Sequence, residues 1–331
     1  MSLLLSEADV RKLLTMPLAL ECVETSFRRL EDKTGVSHPR RRLPLGEQGL
    51  LHYMAAADAA GGYAGLKIYT VAAGGVRFIV PLFRSGSGDI VALIEADYLG
   101  QMRTGAASGV AARVMAREDA RIVCIIGTGL QARTQVEAVC AAKKIERVQA
   151  FGRDRDRRER FAKEMSARLG IPVKAASSAE EAVRGSDIVI TSTNSVQPVV
   201  EGRWLEPGMH VSAIGVNFAH RRELDSEAVD RADVIAADSV EQSKIESGDL
   251  IQAFGANAAR WTNVLEFADV ITGKVPGRTS REQITLFKSN GIAIEDIVVA
   301  GRLYEIARER GMGREVPIWE DEAPLAAEAP I

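Results

Sequence analysis

One stretch, Arg121 to Ala132 (RIVCIIGTGLQA), limits what this chain can fold into more than any other. Ile122 to Ile126 form an unbroken apolar run, too short for a helix and suited to a strand covered on both faces. Gly127-Thr128-Gly129-Leu130-Gln131-Ala132 follows directly, and a helical pattern then runs to about Lys144. A strand, a glycine turn and a helix in that order are the context a GxGxxA dinucleotide fingerprint requires. Gly127 makes the tight turn, Gly129 lets the backbone approach a pyrophosphate, and Ala132 is small enough for the helix to pack on the strand. The free N–H groups and positive end of that helix would face the phosphates. The competing reading, a tight strand–helix turn with no nucleotide, has less support from this context.

Beyond the turn the pattern alternates. Strands are expected at 147–151, 173–175, 187–191, 209–214, 234–237 and 284–287, with helices at 154–169 and 178–183 between them. This rhythm implies a doubly wound parallel sheet with right-handed crossovers, a Rossmann fold of the α/β class. The first hundred residues differ. A helix from Pro17 to Lys33 carries Leu20, Val23, Phe27 and Leu30 at helical spacing, and Gly35 ends it. HPRRRLPL, from His38, is extended. Four closely spaced β segments (50–57, 63–72, 76–84 and 90–95) make an antiparallel sheet and so a separate α+β layer. An Ala- and Gly-rich helix from Asp97 to Met115 is built to pack closely on another element or a second subunit. A last helix (294–309) precedes a tail with Pro317, Pro324 and Pro330, expected to be loosely ordered at its end. Two units follow: 1–115 with 300–331, and 116–299.

Bulk properties bound the partners. A net charge of −3 gives no reason to expect nucleic acid or an anionic membrane surface. No apolar run approaches a membrane span, and MSLLLSEADVRKLL lacks the basic leader of a signal peptide. Cys22, Cys124 and Cys140 are scattered and read as core residues of a reducing compartment, and the four histidines show no ligand spacing. A cytoplasmic, metal-free protein is the expectation.

In NAD-binding sheets an acidic residue about 20 positions past the glycines takes the ribose 2′-OH. Here that strand ends in Phe151-Gly152-Arg153-Asp154, with Gly152 at the terminal position and Arg153 next. An arginine there can pair with a 2′-phosphate, which favours NADP(H). NAD(H) is the alternative if Asp154 reaches the ribose instead of capping the next helix. In the first layer, Lys67 sits among apolar neighbours in GYAGLKIYTV, where burial lowers an ammonium's pKa toward a useful acid–base range. Arg41 lies in the proline-held segment and Arg103 near a helix start. Converging, the three would suit an α-carboxylate beside an imine or amine; by composition alone each is an ordinary surface or structural charge.

HPRRRLP, GLKIYTV, ADYLGQMRTGAASGVAA, IGTGLQA, ITSTNSVQPVV, AIGVNFAHRREL and FKSNGIAIEDI, in that order and over nearly the whole chain, resemble the ornithine cyclodeaminase/µ-crystallin family. The resemblance implies a homodimer in which a substrate and dimerisation domain sits beside the Rossmann domain. It also implies a small amino or imino acid as substrate, held by Arg41 and Arg103, with Lys67 polarising or protonating its nitrogen-bearing centre. Thr191, Ser192 and Thr193 would join the fingerprint, Gly152 and Arg153 in holding the cofactor, and the C-terminal helix would return to the first domain. Two departures bear on the activity. Cyclodeaminases of the family carry an acidic residue in the strand where this chain has His52. They carry a GGD aspartate where it reads Gly215-Val216-Asn217. Asn217 can hydrogen-bond substrate but cannot take a proton. Asp225, further along, looks like a helix cap. The resulting expectation is an NAD(P)H-dependent reductase of α-imino acids, reversible as an amino-acid dehydrogenase. A cyclodeaminase with bound NAD and a non-catalytic nucleotide-dependent binding protein are the alternatives.

Overall fold

A computed structural model describes residues 1–46 and 49–318. The chain opens with β1 (Ser2–Leu5), α1 (Glu7–Leu13), α2 (Met16–Glu31), β2 (Gly35–Ser37) and β3 (Arg41–Leu45). Then come β4 (Gly49–Asp58), β5 (Tyr63–Ala72), β6 (Gly75–Arg84), β7 (Ile90–Glu95) and α3 (Asp97–Met115). The alternation that follows is β8 (Ile122–Ile126), α4 (Leu130–Ala142), β9 (Arg147–Phe151), α5 (Arg155–Leu169), β10 (Val173–Ala175), α6 (Ala179–Val183) and β11 (Ile188–Thr191). Next are β12 (His210–Ala213), α7 (Ser226–Asp230), β13 (Val234–Ala237), α8 (Val240–Glu246), α9 (Gly248–Phe254) and β14 (Val264–Glu266). The described chain closes with α10 (Phe267–Ile271), β15 (Thr285–Lys288), α11 (Ala293–Arg310) and β16 (Arg314–Val316).

The first sheet runs β16-β1-β7-β6-β5-β4-β2, with β3 also paired to β4. The hairpins β4 to β7 are antiparallel, as their short Gly-rich turns require. β1 adds to β7 in parallel and bonds the returning β16 on its other edge. From Tyr63 to Thr70, β5 alternates between buried and half-buried positions, so Tyr63, Gly65, Lys67 and Tyr69 all face inward. Against that inner face lies α11, which also packs on α2. The second sheet, β10-β9-β8-β11-β12-β15-β13-β14, is parallel throughout. Its chain path leaves β8 toward β10, then returns to the other side at β11. Clefts that bind nucleotides open at the carboxyl ends of the strands flanking such a reversal.

The two layers meet through α3. A Cβ on Gly105 would lie 2.4 Å from the Thr134 carbonyl oxygen, and one on Gly109 2.8 Å from that of Ala138. The small residues of α3 therefore serve contact with α4 inside the chain. A second seam is aromatic: Phe267 packs edge-on against Phe27 of α2 at 4.8 Å and against Phe287 of β15 at 4.4 Å.

Several expectations change in detail. Gly35 starts β2 and does not end a helix; the turn before it is made by Lys33, whose φ is +65°. Asp97 is the first residue of α3, with Ala96 at the N-cap position. Its carboxylate accepts from the Phe78 N–H at 2.9 Å, tying the helix start to β6. Ser6, Asp154 and Ser178 are the N-caps of α1, α5 and α6. Asp225 likewise caps α7, accepting from the Ala228 N–H at 2.7 Å. Pro324 and Pro330 lie outside the described residues.

Candidate functional site

A cavity of about 950 Å³ lies between the sheets, over the carboxyl ends of β8, β9, β11, β12 and β15 and against β5, β6 and α3. At its centre is the glycine turn. Gly127 has φ +112° and its N–H bonds the Phe151 carbonyl at 2.8 Å; a Cβ there would stand 2.3 Å from the Ser192 oxygen. Only glycine fits. Gly129, the N-cap of α4, has nothing within 4 Å of where a Cβ would be, and no side chain caps the helix. Thr128, Leu130 and Gln131 complete a wall of open N–H groups at the helix start. These are the features a pyrophosphate needs, and the residues fit a dinucleotide.

On the β9 side the wall is Gly152, Arg153, Asp154 and Arg157. Asp154 spends one carboxylate oxygen on the Arg157 N–H at 2.8 Å, and Arg158 lies over Phe151 while donating to the Gly152 carbonyl. Arg153 and Arg157 are exposed and form no ion pair among the described residues. On the opposite side Ser192, Thr193, Gly215 and Asn217 reach the cavity.

The far wall carries the charge. Lys67 is 2% exposed, its Nζ 2.7 Å from Asp296 Oδ1 and 5.1 Å from the centre of the Phe78 ring. Burial, helped by the Arg103 guanidinium, pushes the ammonium down to about 8, while Asp296 pulls the other way. Arg103 donates from Nη1 to Glu295 Oε2 at 2.7 Å and from Nε to Asp296 Oδ1 at 3.2 Å. Glu295 and Asp296 enter from the first turn of α11, where their charge also suits the helix dipole. Burial pushes Glu295 up to about 7 against the opposing pull of Arg103. Arg40 bonds Glu246 Oε1 at 2.5 Å and the carbonyls of Asn290 and Gly291 at 2.8 and 3.2 Å. Arg42 takes the other Glu246 oxygen and the Asn217 carbonyl, and its guanidinium covers Phe218.

Three expected site residues stand elsewhere. Arg41 is exposed, paired with Tyr53 on the outer face of the sheet, and Arg40 takes its place in the cavity wall. Successive strand residues point to opposite faces, so a register error of one residue exchanges them. Thr191 is fully buried and gives its hydroxyl to Glu223 at 2.9 Å, and Ala132 is buried in the first turn of α4; both support the site without lining it. Lys67, Arg103, Asn217, Gly127, Thr128, Gly129, Leu130, Gln131, Gly152, Arg153, Ser192 and Thr193 do line the cavity. The acidic partners Glu246, Glu295 and Asp296 carry little signal in the sequence; for the α11 pair it is two adjacent acids in the otherwise apolar IAIEDIVVA. His52 is buried and stacks on Tyr69 at 4.3 Å. Burial, with Arg42 and Arg40 nearby, lowers its pKa to about 4, so it is neutral at physiological pH.

Fold and cavity together define a Rossmann-type dinucleotide-binding protein with a second, cationic pocket facing the nucleotide site. The chain belongs to the ornithine cyclodeaminase/mu-crystallin family, whose model matches residues 1–311. A Δ1-pyrroline-2-carboxylate reductase of Bacillus cereus is 34% identical over 323 residues, covering 95% of this chain and 99% of that protein. The Thermococcus litoralis Δ1-pyrroline-2-carboxylate reductase, solved with NADH and L-proline, superposes with a TM-score of 0.91 at 36% identity, over 95% of this chain and 100% of its own. An archaeal alanine dehydrogenase dimer with bound NAD gives a TM-score of 0.89 at 33% identity, covering 96% and 99%.

Proposed function

We propose that the protein is an NAD(P)H-dependent reductase of α-imino acids, acting in reverse as an amino-acid dehydrogenase. The observation that carries this reading is the buried Lys67, paired to the Asp296 carboxylate it shares with Arg103 on the wall opposite the dinucleotide turn. The bound reduced nicotinamide would supply the hydride to the imine carbon. Arg103 commits Nε and Nη1 to acids of α11, which leaves Nη2, beside Gly291, to take a substrate carboxylate. Arg40 adds positive potential without moving, because three acceptors hold it. Lys67 then gives its proton to the imine nitrogen, so that C=N becomes CH–NH with one hydride and one proton accounted for. Tyr69 and Phe78, 4.6 Å apart, exclude water beside the ammonium.

Cyclodeamination has less support. It needs a base, and Asn217, neutral His52 and a capping Asp225 supply none, while Glu246, Glu295 and Asp296 are each paired to a cation. The buried lysine paired to Asp296 likewise disfavours a purely nucleotide-binding role. For the cofactor, unpaired Arg153 and Arg157 beside a capping Asp154 favour NADP(H); NAD(H), bound by the alanine dehydrogenase, is the alternative. The division into 1–115 with 300–331 and 116–299 belongs to the same reading, as does a cytoplasmic setting. So does a homodimer, built on the outer sheet face where Leu43, Tyr53 and Ile79 are exposed at 49, 36 and 39%. The test is oxidation of NADPH and NADH with pyrroline-2-carboxylate, piperideine-2-carboxylate, and pyruvate plus ammonia or methylamine. Silence across that panel from folded, nucleotide-binding protein would overturn it.

A further inference from the structure

Under the cofactor side of the cavity lie three buried charged residues that the proposed chemistry does not use. Glu223, Asp249 and Lys288 are all essentially closed to solvent. Glu223 accepts three hydrogen bonds: Oε1 from the Thr193 N–H at 2.6 Å, and Oε2 from the Gly215 N–H at 2.7 Å and the Thr191 hydroxyl at 2.9 Å. Thr191 ends β11 and Thr193 lies just beyond it, whereas Gly215 follows β12. One carboxylate therefore ties the ends of two neighbouring strands together. Asp249 fixes Glu223 from below, accepting the Glu223 and Leu224 N–H groups at 2.6 and 2.9 Å. Lys288, from the end of β15, bonds Asp249 at 2.8 Å and the Val216 carbonyl at 2.8 Å. Space is so short that a Cβ on Gly215 would sit 2.3 Å from the Thr193 nitrogen and 2.4 Å from Glu223 Oε1.

Burying an acid is expensive unless its lone pairs are used, and here Asp249 adds a second negative charge close by. Burial and Asp249 push Glu223 up to about 7. An arrangement that costly holds something in place. What it holds are Thr193 and Gly215, both of which line the cavity, whereas Glu223 does not. The pyrophosphate belongs over β8 and the adenosine over β9, at Gly152 and Arg153. The remaining half of a dinucleotide must extend the other way, over β11 and β12.

We infer that Glu223 is a positioning residue for the nicotinamide half of the cofactor, acting through the Thr193 and Gly215 backbone. This rests on the reading that the cavity holds a dinucleotide. In Glu223→Gln the side-chain NH2 must face at least one of the three donors it replaces, putting donor against donor. Calorimetric titration of wild type and variant with NADPH, NADH, AMP and adenosine 2′,5′-bisphosphate separates the two halves. The expected result is a loss of about tenfold or more in affinity for the full dinucleotides, about 1.4 kcal/mol, with the adenosine fragments bound as in wild type. Unchanged dinucleotide affinity, or an equal loss for fragment and dinucleotide, would overturn the role of Glu223. Wild-type protein that binds no dinucleotide would instead overturn the reading beneath it. Should Glu223→Gln fail to fold, Thr191→Val removes one donor and leaves both loops' backbone intact. The same selective loss, smaller in size, is then expected, and its absence counts equally against the inference.

Discussion

Replacing Asp296 by Asn tests how Lys67 handles its proton. The groups facing the ammonium are Asp296 from α11, Arg103 from α3 and Arg40 ahead of β3, with Tyr69 and Phe78 beside it. Burial and the arginines hold Lys67 down at about 8, and Asp296, 2.7 Å away, opposes them. A proton donor works in its charged form, so the rate of imine reduction is full below this pH and is lost as pH rises through it. An opposite charge at this range favours the ammonium by about one to three pH units. Asparagine keeps the shape and one oxygen for Nζ but removes that charge. The falling limb of kcat should therefore move to between about pH 5 and 7. At about pH 7.5 a displacement of about two units leaves a few per cent of Lys67 protonated, a loss of roughly 25-fold. The assay is kcat against pH at saturating nucleotide and cyclic imine, with Lys67→Met as the control that abolishes the limb. A limb that stays in place or moves upward in Asp296→Asn refutes the reasoning. Uniform slowing with an unmoved limb would give Asp296 a packing role only.

Three further outcomes are expected. Arg103→Met strands Glu295 without its cation, which should cost about 3–5 kcal/mol in chemical denaturation and raise KM for the imine; a change within about 1 kcal/mol would mean that the buried pair is not what holds α11 to α3. Arg153→Ala together with Arg157→Ala should lower kcat/KM with NADPH about tenfold or more relative to NADH, whereas an unaltered ratio places the 2′-phosphate elsewhere. Gly127→Ala drives a Cβ into the Ser192 carbonyl at a φ of +112°. Loss of nucleotide-induced thermal stabilisation is expected there, and retained stabilisation would show that the turn relaxes.

Legibility followed range. The β8 turn, the Asp154 and Ser178 caps and the limits of β5 and β7 depend on neighbours within a few residues, and the chain shows them directly. β1 did not declare itself as a strand, because four residues paired to β7 nearly ninety positions on leave no local pattern. Lys67 was recognisable as a buried cation among apolar neighbours, but its partner Asp296 is 229 residues away. Arg40 and Arg41 show a finer limit: identical side chains one position apart face opposite sides of a sheet, and only strand register distinguishes them. Glu223 sits in the polar run HRREL, where an acid reads as solvated surface. Its burial is a property of the loops that close over it.

The glycine contacts of α3 would also fix how substrate and cofactor meet on the proposed reading. Arg103 stands on α3, and the phosphate-facing turn begins α4; Gly105 and Gly109 let these helices touch almost backbone to backbone, and Gln135 of α4 donates to the Thr104 carbonyl at 3.0 Å. On the proposed reading, the anchor for the substrate and the anchor for the cofactor are two ends of one tightly packed helix pair. If so, loops lining the cavity, such as the one carrying Asn217, could change to admit a different substrate side chain without altering the spacing between Arg103 and the glycine turn. Substrate choice and reaction distance would then be separately adjustable, the second set by the backbone contact between α3 and α4.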